Sequence, residues 1–164
     1  MDKKTFKILF VSAMKTELRP LLKKLNARER KKLLNIFPLY KAAHKSVEVY
    51  VVETYVGETN ASIATLEAIR DVNPDFVIKY GCVGGSYVES KNGDVIIPLG
   101  FFHRTSWITR TKEGTPTKDS SQWQSVFGEL PHQVNSNNLG GLPYYFPVNK
   151  EHIDLSQKIL KELN

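Results

Sequence analysis

Cysteine is nearly absent from this sequence, since Cys82 is the only one among 164 residues. One cysteine cannot form an internal disulfide, and neither flank of Cys82 has the spacing of a metal site. Long hydrophobic runs are absent too: the apolar run near the N-terminus is much shorter than a membrane span, breaks at Ser12 and has no cleavage signature. We therefore expect a soluble, cytoplasmic protein with no disulfide, no metal site and no membrane partner.

Acidic residues are scarce in the first part of the chain. Residues 1–45 carry 13 Lys or Arg against 3 acids, whereas the remaining 119 residues carry 10 against 14. The basic cluster at residues 23–32 could contact nucleic-acid phosphates, but no aromatic side chain interrupts it to stack on bases. We predict that this segment is a solvated helix face or loop, and that nucleic acid is not a partner.

The composition, 41% hydrophobic and 24% charged, is that of one globular domain over residues 1–164. Residues Thr5–Val11 have the composition of a strand, and leucines at helical spacing follow them. Because Pro20 is tolerated only in a first turn, the helix is predicted to start near Thr16 or Glu17. This start places Glu17 at the end of the first strand.

The middle of the chain predicts a β-hairpin, a helix and a buried strand. Asn35–Ala42 and Ser46–Thr54 form the hairpin, and Thr59-Asn60 is the expected cap of a helix that Pro74 ends. The nearly continuous apolar run Asp75–Tyr80 is typical of a parallel strand covered on both faces.

The last part of the chain predicts further β structure at residues 95–97 and 101–109, a long loop at 110–147 and a helix over Lys150–Leu163. Because strands and helices alternate, the fold class is α/β. We predict three α/β/α layers with a mixed central sheet.

Open α/β sheets bind ligands beyond the carboxyl ends of their strands. Three segments follow predicted strands in this way: Ala13–Glu17, the glycine turn Gly81–Gly85, and Phe101–Arg104. Each has an ordinary structural explanation, because a glutamate suits the first turn of a helix and a glycine turn need bind nothing. The glycine spacing matches neither a dinucleotide fingerprint nor a P-loop.

Taken together, four segments resemble the nucleoside phosphorylase and nucleosidase superfamily, most closely its 5'-methylthioadenosine/S-adenosylhomocysteine nucleosidase branch. The resemblance extends from about Lys7 to Leu163. The segments are Ile8–Leu18, Thr54–Ala61, Asn73–Ile78 together with the turn Gly81–Gly85, and Gly93–Ile97.

The resemblance implies hydrolysis of the N-ribosidic bond of adenine thionucleosides, with no metal or organic cofactor. Glu17 is then the residue that activates the attacking water, which suits the oxocarbenium-like state of this reaction. The implied substrate-binding residues are Ala13 and Met14 at the ribose and Cys82, Val83 and Gly84 along the purine. Phe102 and His103, with residues 127–131, help to enclose the substrate or meet a neighbouring subunit. The resemblance also implies a homodimer.

The sequence departs from the family pattern at four positions. The family usually has Ser or Thr at Cys82, Gly at Tyr55, Lys at Glu58 and Asp at Arg104. In addition, Lys79 stands where phosphorolytic relatives often carry a phosphate-binding arginine. A phosphate-dependent purine nucleoside phosphorylase is therefore the alternative enzyme.

The largest departure is length. Family members are longer, and the missing C-terminal stretch would supply the residues that grip the ribose and protonate the leaving purine. We expect the 164 residues to be a C-terminally truncated piece of the family domain. The alternative is a degenerate, non-catalytic relative that acts as a binding or assembly module.

Overall fold

The computed structural model describes residues 5–84, 89–102, 107–108, 124–125 and 145–163. The chain divides into two compact units, Met1–Glu89 and Ser90–Asn164. That residues 1–164 form a single domain stays a prediction. None of the described helices is both long enough and apolar enough to cross a membrane.

The first unit is built on a five-stranded mixed sheet with strand order β2-β3-β4-β1-β5. β1 runs parallel to β4 and β5, whereas β2, β3 and β4 form an antiparallel meander. The predicted hairpin is its β3–β4 part. The elements are β1 (Phe6–Ser12), α1 (Lys15–Leu25), β2 (Arg28–Leu33), β3 (Phe37–His44), β4 (Val47–Glu53), α2 (Glu58–Val72) and β5 (Phe76–Lys79).

Successive side chains of β4 point to opposite faces of the sheet and fill two separate cores. Tyr50 and Val52 belong to a cluster that includes Ala64 and Ala68 of α2. Val49 and Val51 belong to another cluster, which includes Leu18 of α1. The two helices therefore cover opposite faces, which confirms the predicted three-layer α/β/α fold with a mixed sheet.

Both helices of this unit begin earlier than the sequence indicated. α1 begins at Lys15, because the Met14 carbonyl already accepts hydrogen bonds from the amides of Glu17 and Leu18. Pro20 thus lies inside the helix and not in its first turn. α2 begins at Glu58, so Thr59-Asn60 is not the cap; Gly57 is, and Asn60 Nδ2 instead donates to the Val56 carbonyl at 2.9 Å.

The basic segment is also different from the prediction. Lys23 and Lys24 close α1, but residues 28–33 form the edge strand β2, in place of a helix face or loop. Only Leu33 of this strand is buried, so the prediction that the segment is solvated holds. The strand forms because β3 supplies its hydrogen bonds from outside the segment.

β5 is shorter than the predicted strand Asp75–Tyr80, and it is not buried on both faces as predicted. It is the outermost strand of the sheet among the described residues, with Phe76 and Ile78 partly buried and Val77 and Lys79 exposed. Asp75 nevertheless ties its start to β1, since Lys7 N donates to Asp75 Oδ2 at 2.9 Å and Asp75 N donates to the Lys7 carbonyl at 2.9 Å.

The second unit contains two antiparallel strand pairs and a helix. Gly100–Phe102 (β6) pairs with Tyr145–Pro147 (β9), and Trp107–Ile108 (β7) pairs with Gln124–Ser125 (β8). The helix predicted over Lys150–Leu163 is confirmed as α3. Residues 95–97 form no strand, contrary to the prediction, and Val95 and Ile96 are exposed next to Pro98.

Candidate active site

The carboxylate of Glu17 is the centre of a polar cluster at the carboxyl end of β1. Its Oε2 accepts hydrogen bonds from Ser12 Oγ at 2.8 Å and from the Met14 amide at 3.2 Å. Its Oε1 accepts one from the Cys82 amide at 2.9 Å. Because β1 and β5 are parallel neighbours, the turns that follow them meet at one edge of the sheet and bring these donors together.

Gly81 allows this approach of the β5 turn to Glu17. A Cβ atom at position 81 would lie 2.9 Å from the carboxyl carbon and from both carboxylate oxygens of Glu17. The φ angle of Gly81, +150°, is also one that L side chains rarely adopt. A side chain at position 81 would therefore collide with Glu17, which explains why a glycine stands there.

The surroundings keep Glu17 ionised. Partial burial raises the pKa of its carboxyl group, but three hydrogen bonds and the positive charge of Lys79 outweigh burial and hold the pKa below its ordinary value. The three donors are the Cys82 amide, the Ser12 hydroxyl and the Met14 amide. The group is consequently a carboxylate at neutral pH.

Donors among the described residues occupy all but one of the acceptor positions of this carboxylate. The two oxygens of an ionised carboxyl group offer about four lone-pair positions. Two on Oε2 and one on Oε1 are used by the donors described above. Oε1 can therefore accept one more hydrogen bond, and a water molecule bound there would face a general base.

The structure brings only some of the predicted site residues together. Met14 and Cys82 contact Glu17 through their amides, and the exposed Cys82 thiol is free. Ala13 precedes Met14 on the same turn, and Val83 and Gly84 follow Cys82 and are exposed.

The other two predicted site residues fall outside this unit. Phe102 ends β6 in the second unit. His103 lies outside the described residues, as do residues 127–131.

Ser12 is the member of the cluster that the sequence did not single out. It marked only the end of an apolar run, yet its side chain is fully buried and hydrogen-bonded to Glu17. The available signal was a hydroxyl residue at a strand end, five positions before an acid in the next helix.

No three His, Cys, Asp or Glu side chains come together as a metal centre among the residues described.

A three-layer α/β/α fold with a mixed sheet places the chain among the open-sheet α/β proteins, and Glu17 lies at the carboxyl edge of the parallel strands, where such proteins bind ligands. The model of the phosphorylase superfamily matches residues 7–161. The chain belongs to this superfamily.

Similar proteins include 5'-methylthioadenosine/S-adenosylhomocysteine nucleosidases. That of Buchnera aphidicola (subsp. Schizaphis graminum) is 33% identical over 92 residues, which cover 56% of this chain and 39% of the relative. That of Bacillus velezensis is 23% identical over 158 residues, covering 96% and 59%. The chain thus matches between about two fifths and three fifths of the length of these relatives.

Solved structures show the same fold. The Helicobacter pylori nucleosidase, in complex with a substituted pyrrolidin-3-ol, superposes with a TM-score of 0.73 at 16% identity, covering 98% of this chain and 60% of that one. The Streptococcus pyogenes S-adenosylhomocysteine nucleosidase, in complex with 5-methylthiotubericidin, gives 0.71 at 19%, covering 100% and 60%.

Proposed function

We propose that the protein hydrolyses the N-ribosidic bond of adenine thionucleosides and that Glu17 activates the water. The observation that carries this proposal is an ionised carboxylate at the carboxyl end of β1, which three donors fix and which the described part of the chain leaves one acceptor position. The names of the relatives in Buchnera and Bacillus support the substrate class.

In the proposed reaction, water attacks the anomeric carbon of the ribose and the carbon–nitrogen bond to adenine breaks. The water gives one proton to Glu17, and adenine leaves with the bonding electrons and takes up a proton. The transition state resembles an oxocarbenium ion, so the ribose itself carries positive charge. The lowered pKa keeps Glu17 ionised, so that its charge stabilises this cation, although it also makes the carboxylate a weaker base toward water.

The remaining site residues have proposed roles around this step. Ala13 and Met14 would line the ribose, and Cys82, Val83 and Gly84 would lie along the purine. Phe102 and His103 would help to enclose the substrate or meet a second subunit of a homodimer. The proposed place of action is the cytoplasm.

Lys79 supports a second candidate, a phosphate-dependent phosphorylase. Lys79 is the last residue of β5, and its exposed side chain places a positive charge near Glu17. Two features favour hydrolysis over phosphorolysis. The Cys82 amide, a donor that an anion could use, is already bound to Glu17, and the Glu17 carboxylate would repel a phosphate beside it.

The test is to incubate the full-length protein with methylthioadenosine in the presence and absence of phosphate. We expect adenine and methylthioribose at equal rates in both. Release that depends strictly on phosphate would instead establish the phosphorylase. Saturable binding of the nucleoside with no adenine released under either condition would favour a binding or assembly module.

A further inference from the structure

Ser12 differs from the other two donors to Glu17 in what it is attached to. The Met14 amide belongs to the same turn as Glu17, three residues away, and the Cys82 amide belongs to the turn after β5. Ser12 is the last residue of β1, which lies between β4 and β5 in the sheet. Its hydroxyl therefore connects Glu17 to the inner part of the sheet.

The backbone of Ser12 is itself held in place. Its carbonyl oxygen accepts hydrogen bonds from Thr54 N at 2.8 Å and from Thr54 Oγ1 at 3.3 Å, just beyond the end of β4. Ser12 and Thr54 are 0% and 2% exposed. Because the serine side chain is fully buried, solvent has little access to replace its hydroxyl if the hydroxyl is removed.

We propose that Ser12 is the positioning residue of Glu17: its buried hydroxyl fixes Oε2 against the sheet, so that Oε1 is the oxygen that presents its free lone pair to water. The catalytic meaning of this assignment rests on the proposed nucleosidase function. The hydrogen bond of 2.8 Å from Ser12 Oγ to Glu17 Oε2 does not depend on that function, because it belongs to the folded chain.

Removal of the hydroxyl has two expected consequences. Oε2 keeps only the longer hydrogen bond from the Met14 amide, so the carboxylate can rotate and its water-binding oxygen is no longer fixed. The ionised form also loses a donor that favours it. The other titratable groups on the surrounding elements include Lys15 and Arg19 on α1, Glu53 at the end of β4, Lys79 at the end of β5, and the Cys82 thiol on the turn. Ser12→Ala leaves all of them in place.

The experiment is a carboxyl NMR titration of Glu17 in the full chain, using ¹³C-labelled glutamate. In S12A we expect the titration midpoint of Glu17 to rise by roughly 0.5 to 1 pH unit. The matched control is T54V, which removes a neighbouring buried hydroxyl that contacts Ser12 but not Glu17. The shorter hydrogen bond from Thr54 N to the Ser12 carbonyl remains, so the midpoint in T54V should stay close to that of the wild type. S12C, with a thiol of similar size that donates weakly, provides the same comparison if S12A does not fold.

A second readout uses turnover by the full-length protein. S12A should lower kcat by roughly 10-fold with little change in KM, and should shift the acidic limb of the pH–rate profile upward by the amount measured by NMR. A merely structural role would change neither the limb nor the Glu17 titration.

The two proposals fail separately. An unchanged Glu17 midpoint in S12A, or an equal rise in T54V, overturns the role of Ser12 and leaves the nucleosidase proposal standing. Absence of adenine release from the wild-type protein overturns the nucleosidase proposal, while the titration still decides whether Ser12 holds Glu17.

Discussion

The sheet has a parallel half, β1 and β5, and an antiparallel half, β2 to β4. Each half has a carboxylate of lowered pKa on or beside it, but the pKa is lowered by different means. Glu17, in the parallel half, is held by two amides and a hydroxyl, with Lys79 as the last contribution. Glu48, in the antiparallel half, has its pKa lowered first by the hydrogen bond from Lys41, and further by the Tyr50 hydroxyl. Burial opposes both shifts.

The difference determines what each carboxylate can do. Glu48 is neutralised by a cation on the facing strand, so the pair stabilises local structure and has little charge left for a ligand. Glu17 is fixed mainly by neutral donors and keeps its negative charge. Preorganised neutral donors are therefore compatible with a functional carboxylate, whereas the ion pair suits a surface contact.

The largest expected effect comes from removing the charge of Glu17. E17Q keeps the size of the side chain but cannot accept a proton from water, so kcat of the full-length protein should fall by roughly 10² to 10⁴ with little change in KM. The measurement is steady-state release of adenine. E58Q, which changes a glutamate in the first turn of α2, should retain full turnover; near-normal turnover in E17Q would remove Glu17 from the mechanism.

A methyl group at position 81 should disrupt the hydrogen bonds around Glu17 by steric overlap. G81A places a Cβ 2.9 Å from the Glu17 carboxyl group and requires an unfavourable φ, so we expect about 1 to 3 kcal/mol of lost stability in urea unfolding. The titration of Glu17 should change as well. G93A has a similar backbone penalty at φ +100° but a Cβ with no atom within 4 Å, so it should leave the Glu17 titration unchanged.

Asp71, near the end of α2, forms ion pairs with Arg30 and Lys31 of β2 in the antiparallel half of the sheet. These contacts are exposed, so D71N should cost only about 0.5 to 1 kcal/mol in urea unfolding at low salt, and less in 1 M NaCl. E67Q, which removes a pair with Arg70 inside α2, is the control and should cost less. A loss from D71N that does not change with salt would contradict the electrostatic explanation.

The smallest effect is the response of the two carboxylates to salt. Both are favoured in the folded state by a lowered pKa, so their stabilisation is complete above the unfolded pKa and is lost as pH falls through the folded pKa. Added salt screens Lys41 from Glu48, so the midpoint of Glu48 should move up toward its ordinary value, while that of Glu17 should move less. Equal movement in NMR titrations would mean that Lys79, and not the neutral donors, dominates at Glu17.

Sequence patterns predict these two halves unequally. The strand, turn and helix around Glu17 were predictable because an apolar run gives way to leucines at helical spacing. β2 was not, because Arg28–Lys32 has no apolar alternation and its hydrogen bonds come from β3. Pairing between distant segments can override local composition in this way.

Within the candidate site, the edge of the sheet and Glu17 were predictable, whereas the details of the contacts were not. Position after a strand is visible in sequence, but the contact of Ser12 with Glu17 depends on how a short turn folds back. The close approach of Gly81 depends on the register of β5 against β1, in which Val11 pairs with Lys79. Both are distances in three dimensions with no periodic signature.

The parallel pairing of β1 also has a kinetic consequence. β2, β3 and β4 pair with chain neighbours, as Leu33 does with Phe37, whereas β1 pairs Phe6 with Val47 and Ile8 with Phe76. Closing such long loops costs chain entropy before any contact repays it, so local hairpins form sooner than distant pairs. The meander should therefore fold first, and the Glu17 cluster, which requires the turns after β1 and β5 to meet, should be among the last parts of this unit to assemble.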